Sequence, residues 1–232
     1  MNRSSGKLIF LLAALFIGNT SRADKLEDGF ERLKIYDFFN AKEYFEKSLE
    51  KKTPGAAYGL SKIFSSDNNP FFNLDSARRY ILLSDSAYKT IKTKEKKYYS
   101  GFGVNDTTIG ELSAHICEKY FSFAAEADTV PVYEHYLDYF GTCAGVEKVI
   151  ELRNKAAFRN ASHINTSLAY QEFTLKYPGA KEGTRASELY QQRLFEEKTV
   201  DNKISSYEKF MTDYSDSPYK DEADRKIYRL ST

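Results

Sequence analysis

Aromatic side chains in the second half of the chain return at a fixed interval. The segment that starts at Tyr133 reads YEHYLDYF, and it recurs as YQEFTLKY from Tyr170 and as YEKFMTDY from Tyr207. The differences 170 − 133 and 207 − 170 are both 37. In each copy aromatic residues fall at i, i+3 and i+7, which is the spacing of one face of an α-helix. The pattern therefore predicts an array of similar helical units.

A second set of positions keeps the same interval and predicts a second helix in each unit. Its members are small or apolar residues followed by a phenylalanine: Leu112, Val149, Ala186 and Ala223, then Phe121, Phe158 and Phe195. Each unit is thus predicted to contain a helix, a short turn and another helix. One unit cannot bury its aromatic face alone, so neighbouring units are expected to complete the core.

The chain before this array is less regular but has helical spacing. Residues 24–97 predict two helix pairs, and the first helix has an apolar face formed by Leu26, Phe30, Leu33 and Tyr36. Residues 98–106 contain two glycines and break the pattern. We interpret them as an irregular linker that precedes a helical repeat array over residues 107–232.

Two stretches resemble tetratricopeptide (TPR) repeats. Phe38, Ala41 and Phe45 match the aromatic, small, aromatic spacing of that family, although the Trp and Leu positions of its first helix are only partly met. The unit over residues 165–197 has an aromatic-rich first helix, a Tyr-Pro-x-small turn at 177–180 and then Ala186. This unit looks like the repeats of exported bacterial envelope proteins, and the resemblance covers most of residues 24–230.

The resemblance implies a fold and a general role. The fold is an all-α, right-handed superhelical solenoid of antiparallel helix pairs, with a period of about 37 in the C-terminal half. The role is the binding of a protein or peptide partner, and the repeat pattern carries no catalytic residues.

The N-terminal segment has the three parts of a secretory signal peptide. Arg3 and Lys7 form a basic start, residues 8–17 are an unbroken apolar run, and Ser21 and Ala23 offer small residues before a cut at Asp24. Ten apolar residues fall short of the roughly 20 needed to span a bilayer. We expect residues 1–23 to be removed, and the protein to be periplasmic, associated with the outer membrane, or secreted.

The charge balance argues against nucleic acid as a partner. Removing residues 1–23 deletes three of 34 basic residues and no acid, which leaves 34 − 3 = 31 basic against 33 acidic side chains. Binding to phosphates requires a basic field. No segment after residue 23 is apolar enough for a transmembrane span.

Few residues suggest chemistry. Cys117 and Cys143 could form a disulfide in an oxidising compartment, or each could be a partly buried thiol. Glu111, His115 and Glu118 share a helix face, but a charged surface patch explains them better than a metal site, because no ligand signature is present. We therefore predict no catalytic, cofactor-binding or metal-binding residue and no cofactor.

Two hypotheses for the function remain. In the first, the protein is a non-enzymatic scaffold for a protein or peptide, with Tyr98, Tyr99 and Tyr139 as candidate contact residues because they lie off the main aromatic stripe. In the alternative, it is an envelope enzyme, or an accessory subunit of one, with a site near residues 98–118. The C-terminal helix ends without an extra capping helix, so it could dock end to end on another chain.

Overall fold

Helices make up the part of the chain that the structure describes. The computed structural model describes residues 24–232, so the predicted signal peptide lies outside the described residues. These residues form twelve helices and no strand, which confirms the all-α prediction. The helices are α1 (Lys25–Lys34), α2 (Phe38–Ser48), α3 (Thr53–Ser65), α4 (Leu74–Thr90), α5 (Thr93–Ser100), α6 (Asp106–Ala127), α7 (Val130–Phe140), α8 (Val146–Ile164), α9 (Ser167–Lys176), α10 (Gly183–Lys198), α11 (Ile204–Asp213) and α12 (Lys220–Ser231).

The 37-residue interval recurs in the positions at which helices begin. Helices α5, α7, α9 and α11 follow N-cap residues that are each 37 positions apart: Lys92, Thr129, Thr166 and Lys203. The second helices α8, α10 and α12 also begin 37 positions apart, at Val146, Gly183 and Lys220. The helix pair α5–α6 therefore has the position of a further unit at the start of the array.

Residues 98–106, for which the sequence predicts an irregular linker, consist of the end of α5, the five-residue turn 101–105 and the first residue of α6. Residues 98–100 end α5, and both Tyr99 and Val104 are buried in the core. Gly103 has a φ of 74°, a conformation that favours glycine, in the turn that leads into α6. The two glycines thus belong to a tight connection between packed helices, and the array begins at α5.

A tyrosine and an Asx residue form the same contact in three successive turns. The hydroxyl groups of Tyr133, Tyr170 and Tyr207 donate to side-chain oxygens of Asp128, Asn165 and Asn202, at 2.9, 3.1 and 2.8 Å. The three acceptor residues have φ values of 45°, 58° and 52°. Asp and Asn tolerate this left-handed conformation better than most residues, so the repeat preserves both the turn and the hydrogen bond that holds it.

The N-terminal helices pack closely around one phenylalanine. Phe45 is fully buried, and its ring lies 4.9 Å from the ring of Phe30 in an edge-to-face arrangement. A Cβ atom built on Gly29 or Gly59 would lie 2.7 Å or 2.3 Å from that ring. The two glycines therefore allow α1 and α3 to approach Phe45 of α2 from both sides.

The buried apolar side chains form one large cluster and two small ones. The large cluster runs from Leu26 to Ala156, and the small clusters cover residues 157–186 and 194–223. Most helices pack against their neighbours in the chain, and α1 with α3, α3 with α6 and α4 with α6 make additional contacts. The first half is consequently more extensively interconnected than the second.

Candidate partner-binding site

A pocket of about 560 Å³ lies where the first helices meet the start of the array. Three of its sides come from α1, from the turn between α1 and α2, and from α3, and the α5–α6 connection forms the fourth. Its volume is within the range of pockets that hold small ligands or a buried side chain of a partner. The residues that line it are Phe30, Leu33, Lys34, Tyr36, Phe38, Tyr58, Lys62, Ser66, Gly101, Phe102, Gly103 and Thr108.

Aromatic rings from distant parts of the sequence pack together at this pocket. Phe102, in the α5–α6 connection, stacks on Phe30 of α1 with ring centroids 5.2 Å apart. Tyr98, at the end of α5, packs edge-to-face against Phe102. Because these rings stack on one another, the connection is held against α1 and the pocket has a preformed apolar wall.

The charged residues that line the pocket are both lysines. Lys34 forms an ion pair with Glu31 at 2.6 Å, and the Nζ atom of Lys62 lies 5.7 Å from the centre of the Tyr58 ring. Burial raises the pKa of Tyr58, although a hydrogen bond with Thr108 opposes the shift. Tyr58 is therefore a neutral hydroxyl at ordinary pH, and the pocket offers apolar surface with a basic edge.

Tyr36 has an unusual backbone conformation at the rim of the pocket. The sequence predicts it on the apolar face of the first helix, but α1 ends at Lys34 and Tyr36 is 78% exposed. Its φ of 60° is an outlier for a bulky residue. Asp37 accepts a hydrogen bond from the backbone of Asn40 as the N-cap of α2, which leaves Tyr36 in the turn. That capping residue was the available signal that Tyr36 lies outside the helix.

Tyr98, the first predicted contact residue, is part of a polar cluster. Its hydroxyl donates to Asp24 and accepts from Lys52, which also forms an ion pair with Asp24. Burial would raise the pKa of Asp24, but hydrogen bonds from Lys52 and Tyr98 outweigh it and lower that pKa. The Tyr98 ring is still 38% exposed, so a partner can reach it. The same side chain holds the start of α1 through its hydrogen bond to Asp24.

The other two predicted contact tyrosines have opposite environments. Tyr99, which the sequence analysis names as a candidate contact residue, is only 7% exposed and belongs to the large core cluster, so it offers little surface to a partner. Helix α5 turns this side chain towards the core, which the linker interpretation of residues 98–106 could not foresee. Tyr139 is 61% exposed, and its ring stacks on His135 at 4.4 Å. Its exposed ring leaves Tyr139 available for a contact.

Cys117 and Cys143 are joined as a disulfide. The bridge connects α6 to the turn after α7, with Cα atoms 5.9 Å apart, which is within the usual range. Of the two alternatives that the sequence left open, the structure contains the bridge rather than two thiols. The link fixes the turn of one unit to the second helix of the preceding unit.

The remaining histidine and carboxylate candidates do not converge. His135 contacts Asp75 at 2.9 Å, whereas His115, Glu111 and Glu118 are exposed on α6. Within residues 24–232, no group of three or more His, Cys, Asp or Glu side chains is placed to hold a metal ion.

Comparisons with known proteins give no relative. No protein-family model, curated protein or solved structure matches this chain. None of the helices between residues 24 and 232 is long and apolar enough to cross a membrane.

Proposed function

We propose that this protein is a TPR-like helical scaffold that binds a protein or peptide partner. The observation that carries the proposal is the recurrence of helix starts and of the tyrosine–Asx contact at 37-residue intervals. Units that repeat in this way stack into an extended solenoid, and solenoids expose long curved surfaces that suit binding to other chains. The right-handed superhelix that the TPR resemblance implies is part of this proposal.

The 560 Å³ pocket is the proposed contact site on this scaffold. Stacked aromatic rings supply apolar area, and Lys34 and Lys62 supply positive charge at its edge. A large apolar side chain with a neighbouring acidic group fits both features. Aromatic anchors in a pocket commonly dominate the affinity of a protein interface.

Tyr36 supports the choice of this pocket. A left-handed backbone conformation at a bulky residue destabilises the folded state by roughly 1–3 kcal/mol and tends to occur at functional sites. The Tyr36 ring does not offset that cost by burial, because it is 78% exposed at the pocket rim. A role in contacting a partner would account for an exposed tyrosine in a position that favours Asn or Gly.

Partner capture with matched variants tests this function. Tagged protein with Tyr36→Asn is compared with wild type and with Tyr228→Asn, which changes a 71% exposed tyrosine on α12. We expect mass spectrometry to identify a specific partner with wild type and with Tyr228→Asn but not with Tyr36→Asn. The thermal midpoint of Tyr36→Asn should be equal to or above that of wild type, since Asn relieves the strained turn.

Two results would contradict the proposal. Repeated captures without a specific partner would count against the scaffold function, and equal capture by Tyr36→Asn would count against this pocket. The alternative hypothesis, an envelope enzyme or accessory subunit with a site near residues 98–118, would use the same pocket, because Gly101, Phe102 and Thr108 line it. The scaffold is favoured because the titratable groups that line the pocket are two lysines and two tyrosines, and none of them is a carboxylate, histidine or thiol that could act as a general base at neutral pH.

Export to an oxidising compartment is the second part of the proposal. It is supported by the signal-peptide pattern of residues 1–23 and by the Cys117–Cys143 disulfide, a bond typical of exported proteins. Asp24, the first residue after the proposed cut, is also the N-cap of α1. N-terminal sequencing of the protein from its native cells should begin at Asp24, and a start at Met1 would contradict cleavage.

A further inference from the structure

A second pocket, of about 370 Å³, lies between α4, α6 and the turn after α7. Arg78 of α4 lines it, together with Ser113 of α6 and Thr142 of the turn. We call it the Arg78 pocket. It is separate from the pocket proposed above to contact a partner, and none of the residues that line one pocket lines the other.

Arg78 is a buried cation without a carboxylate partner. Arg78 is only 5% exposed, and no carboxylate of residues 24–232 forms an ion pair with it. Residues 1–23 contain no Asp or Glu, so the rest of the chain has no acidic side chain to supply. Buried charges in proteins are normally paired, because removing an ion from water is strongly unfavourable.

The polar contacts of Arg78 leave several donors without an acceptor. Its two terminal nitrogens donate to the Ser113 and Thr142 hydroxyl oxygens at 2.9 and 2.5 Å, whereas its Nε atom is buried without a hydrogen-bond partner. Since both hydroxyls accept from Arg78, their own protons remain available. Neither hydroxyl donates to another group of residues 24–232. The cluster therefore offers an excess of donors around one positive charge.

The opposite end of the pocket is acidic but already neutralised. Asp85 and Asp106 also line it, seven residues along α4 from Arg78 and along α6 from Ser113, which corresponds to roughly 10 Å of helix. Asp85 is paired with Lys89 at 2.6 Å and Asp106 with Lys96 at 3.5 Å. Because each carboxylate has its own lysine partner, neither pairs with Arg78, and Arg78 is the one charge of the pocket left without an ionic partner within residues 24–232. A single unpaired positive charge matches an anion of one negative charge better than a multiply charged anion such as phosphate.

We propose that the Arg78 pocket binds a single carboxylate group carried on a small apolar body. The carboxylate would pair with the Arg78 guanidinium and accept from the Ser113 and Thr142 hydroxyls. Leu82, which is 45% exposed, and the exposed Ala114 also line the pocket and provide apolar surface for the attached group. The carboxylate could belong to a free organic acid or to the terminus of a peptide chain, and the two share this chemistry.

The disulfide gives the proposed site a fixed geometry. Cys143 directly follows Thr142, and Cys117 lies one helical turn after Ser113. The bridge thus holds together the two elements that present the hydroxyl groups to Arg78. Preorganised donors lose less entropy on binding than mobile ones, which favours recognition of a small anion.

Calorimetric titration with carboxylates and their uncharged amides tests the proposal. The free-acid arm uses isovalerate against isovaleramide, and the peptide arm uses acetyl-Gly-Gly-Leu against its C-terminal amide. We expect saturable binding of at least one carboxylate and at least tenfold weaker binding of the matched amide, since charge-assisted hydrogen bonds are lost. The arm with the tighter carboxylate identifies the source.

Variants assign the binding to Arg78. Arg78→Met, in which an apolar side chain of similar length replaces the buried cation, should retain the fold and weaken carboxylate binding at least tenfold. Arg79→Met changes the exposed neighbouring arginine and should leave affinity unchanged. Should Arg78→Met fail to fold, Thr142→Val keeps the cation, removes one donor and should weaken binding severalfold. Equal binding of acids and amides, or unchanged affinity in these pocket variants, would overturn the proposal.

Discussion

The regions on either side of residue 157 bury their apolar side chains differently. Before it, one continuous cluster extends from Leu26 to Ala156, and α1, α3, α4 and α6 contact helices beyond their immediate neighbours. After it, the buried side chains form two small clusters, and the half-buried ring of Tyr190 packs against both. The region with the most regular sequence therefore has the more divided core.

Because of this difference, the most regular repeats and the two candidate binding pockets lie in different regions of the molecule. Repeats that contact only their neighbours contribute nearly additive stability, whereas a shared core unfolds as one unit. The departures from regularity lie in the first region, namely the Tyr36 turn, the glycine turn before α6, the buried Arg78 and the disulfide. Both pockets proposed to bind ligands are lined by these departures.

The largest effect is expected when the shared core is disrupted at Phe45. Phe45→Ala removes a fully buried ring between Gly29 and Gly59 and leaves a cavity, which should destabilise the protein by about 3–5 kcal/mol. Because the cluster extends to Ala156, we expect hydrogen exchange to accelerate throughout α1–α7. Urea unfolding and native-state hydrogen exchange measure the two effects.

Phe210→Ala provides the matched control for that comparison. Phe210 is 1% exposed, but it belongs to the C-terminal cluster of residues 194–223. Faster exchange should then be confined to α11, α12 and the end of α10. Loss of protection in α1–α4 of Phe210→Ala would show that the two regions form a single cooperative unit rather than two.

Removing the disulfide should have the next largest effect. A bridge that closes a segment with a sequence separation of 26 stabilises the folded state by about 3.5 kcal/mol on the chain-entropy estimate. The double variant Cys117→Ala, Cys143→Ala should lose that amount in urea unfolding, with increased exchange in α4, α6 and α7. Increased exchange only in α9–α12 would contradict the assignment of the bridge to the first region.

The sequence predicted the second region best because one set of residues there serves two purposes. The aromatic positions of α7, α9 and α11 form a helix face and also pack on the next helix, so periodicity alone reveals them. The aromatic periodicity did not reveal helix α5, because most of its residues are polar and Tyr99 is its one buried residue. Its relation to the array is visible in the helix starts and in Tyr99, which lies 37 positions before Tyr136.

The candidate sites could not be predicted for a different reason. Arg78 meets its hydroxyl partners 35 and 64 positions later in the sequence, so no local pattern marks the cluster. The helical spacing of Tyr36 predicts it on the apolar face of the first helix, but the chain leaves the helix before it. Both residues break a local preference, which is common where structure serves binding rather than stability.

A moderate effect is expected from the repeated tyrosine hydroxyls of the second region. Tyr170→Phe and Tyr207→Phe each remove one hydrogen bond to an Asn in a left-handed turn and keep the packed ring. Each should destabilise the protein by about 1 kcal/mol, and the double variant by about twice as much if the units act independently. Urea unfolding of the singles and the double gives the coupling. A strongly non-additive double variant would contradict modular behaviour.

The smallest effect is expected at the Asp128 turn of the first region, which has a carboxylate where the two matching turns of the second region have Asn165 and Asn202. A hydrogen bond from Arg159 lowers the pKa of Asp128, more strongly than burial raises it, and the Tyr133 hydroxyl adds to the decrease. A carboxyl whose folded-state pKa is lowered contributes stability above its unfolded pKa of 3.8, and this contribution disappears as pH falls through the folded pKa.

Asp128→Asn copies the Asn165 and Asn202 turns and should remove this acid dependence. Wild type should lose more stability than Asp128→Asn between pH 5 and pH 2, measured as urea midpoints in matched buffers. The reciprocal variant Asn165→Asp places a carboxylate opposite Tyr170, and it controls for the exchange of Asp and Asn in this type of turn. An identical pH dependence in wild type and Asp128→Asn would mean that the Asp128 turn of the first region carries no charge-specific stability beyond that of the Asn165 and Asn202 turns.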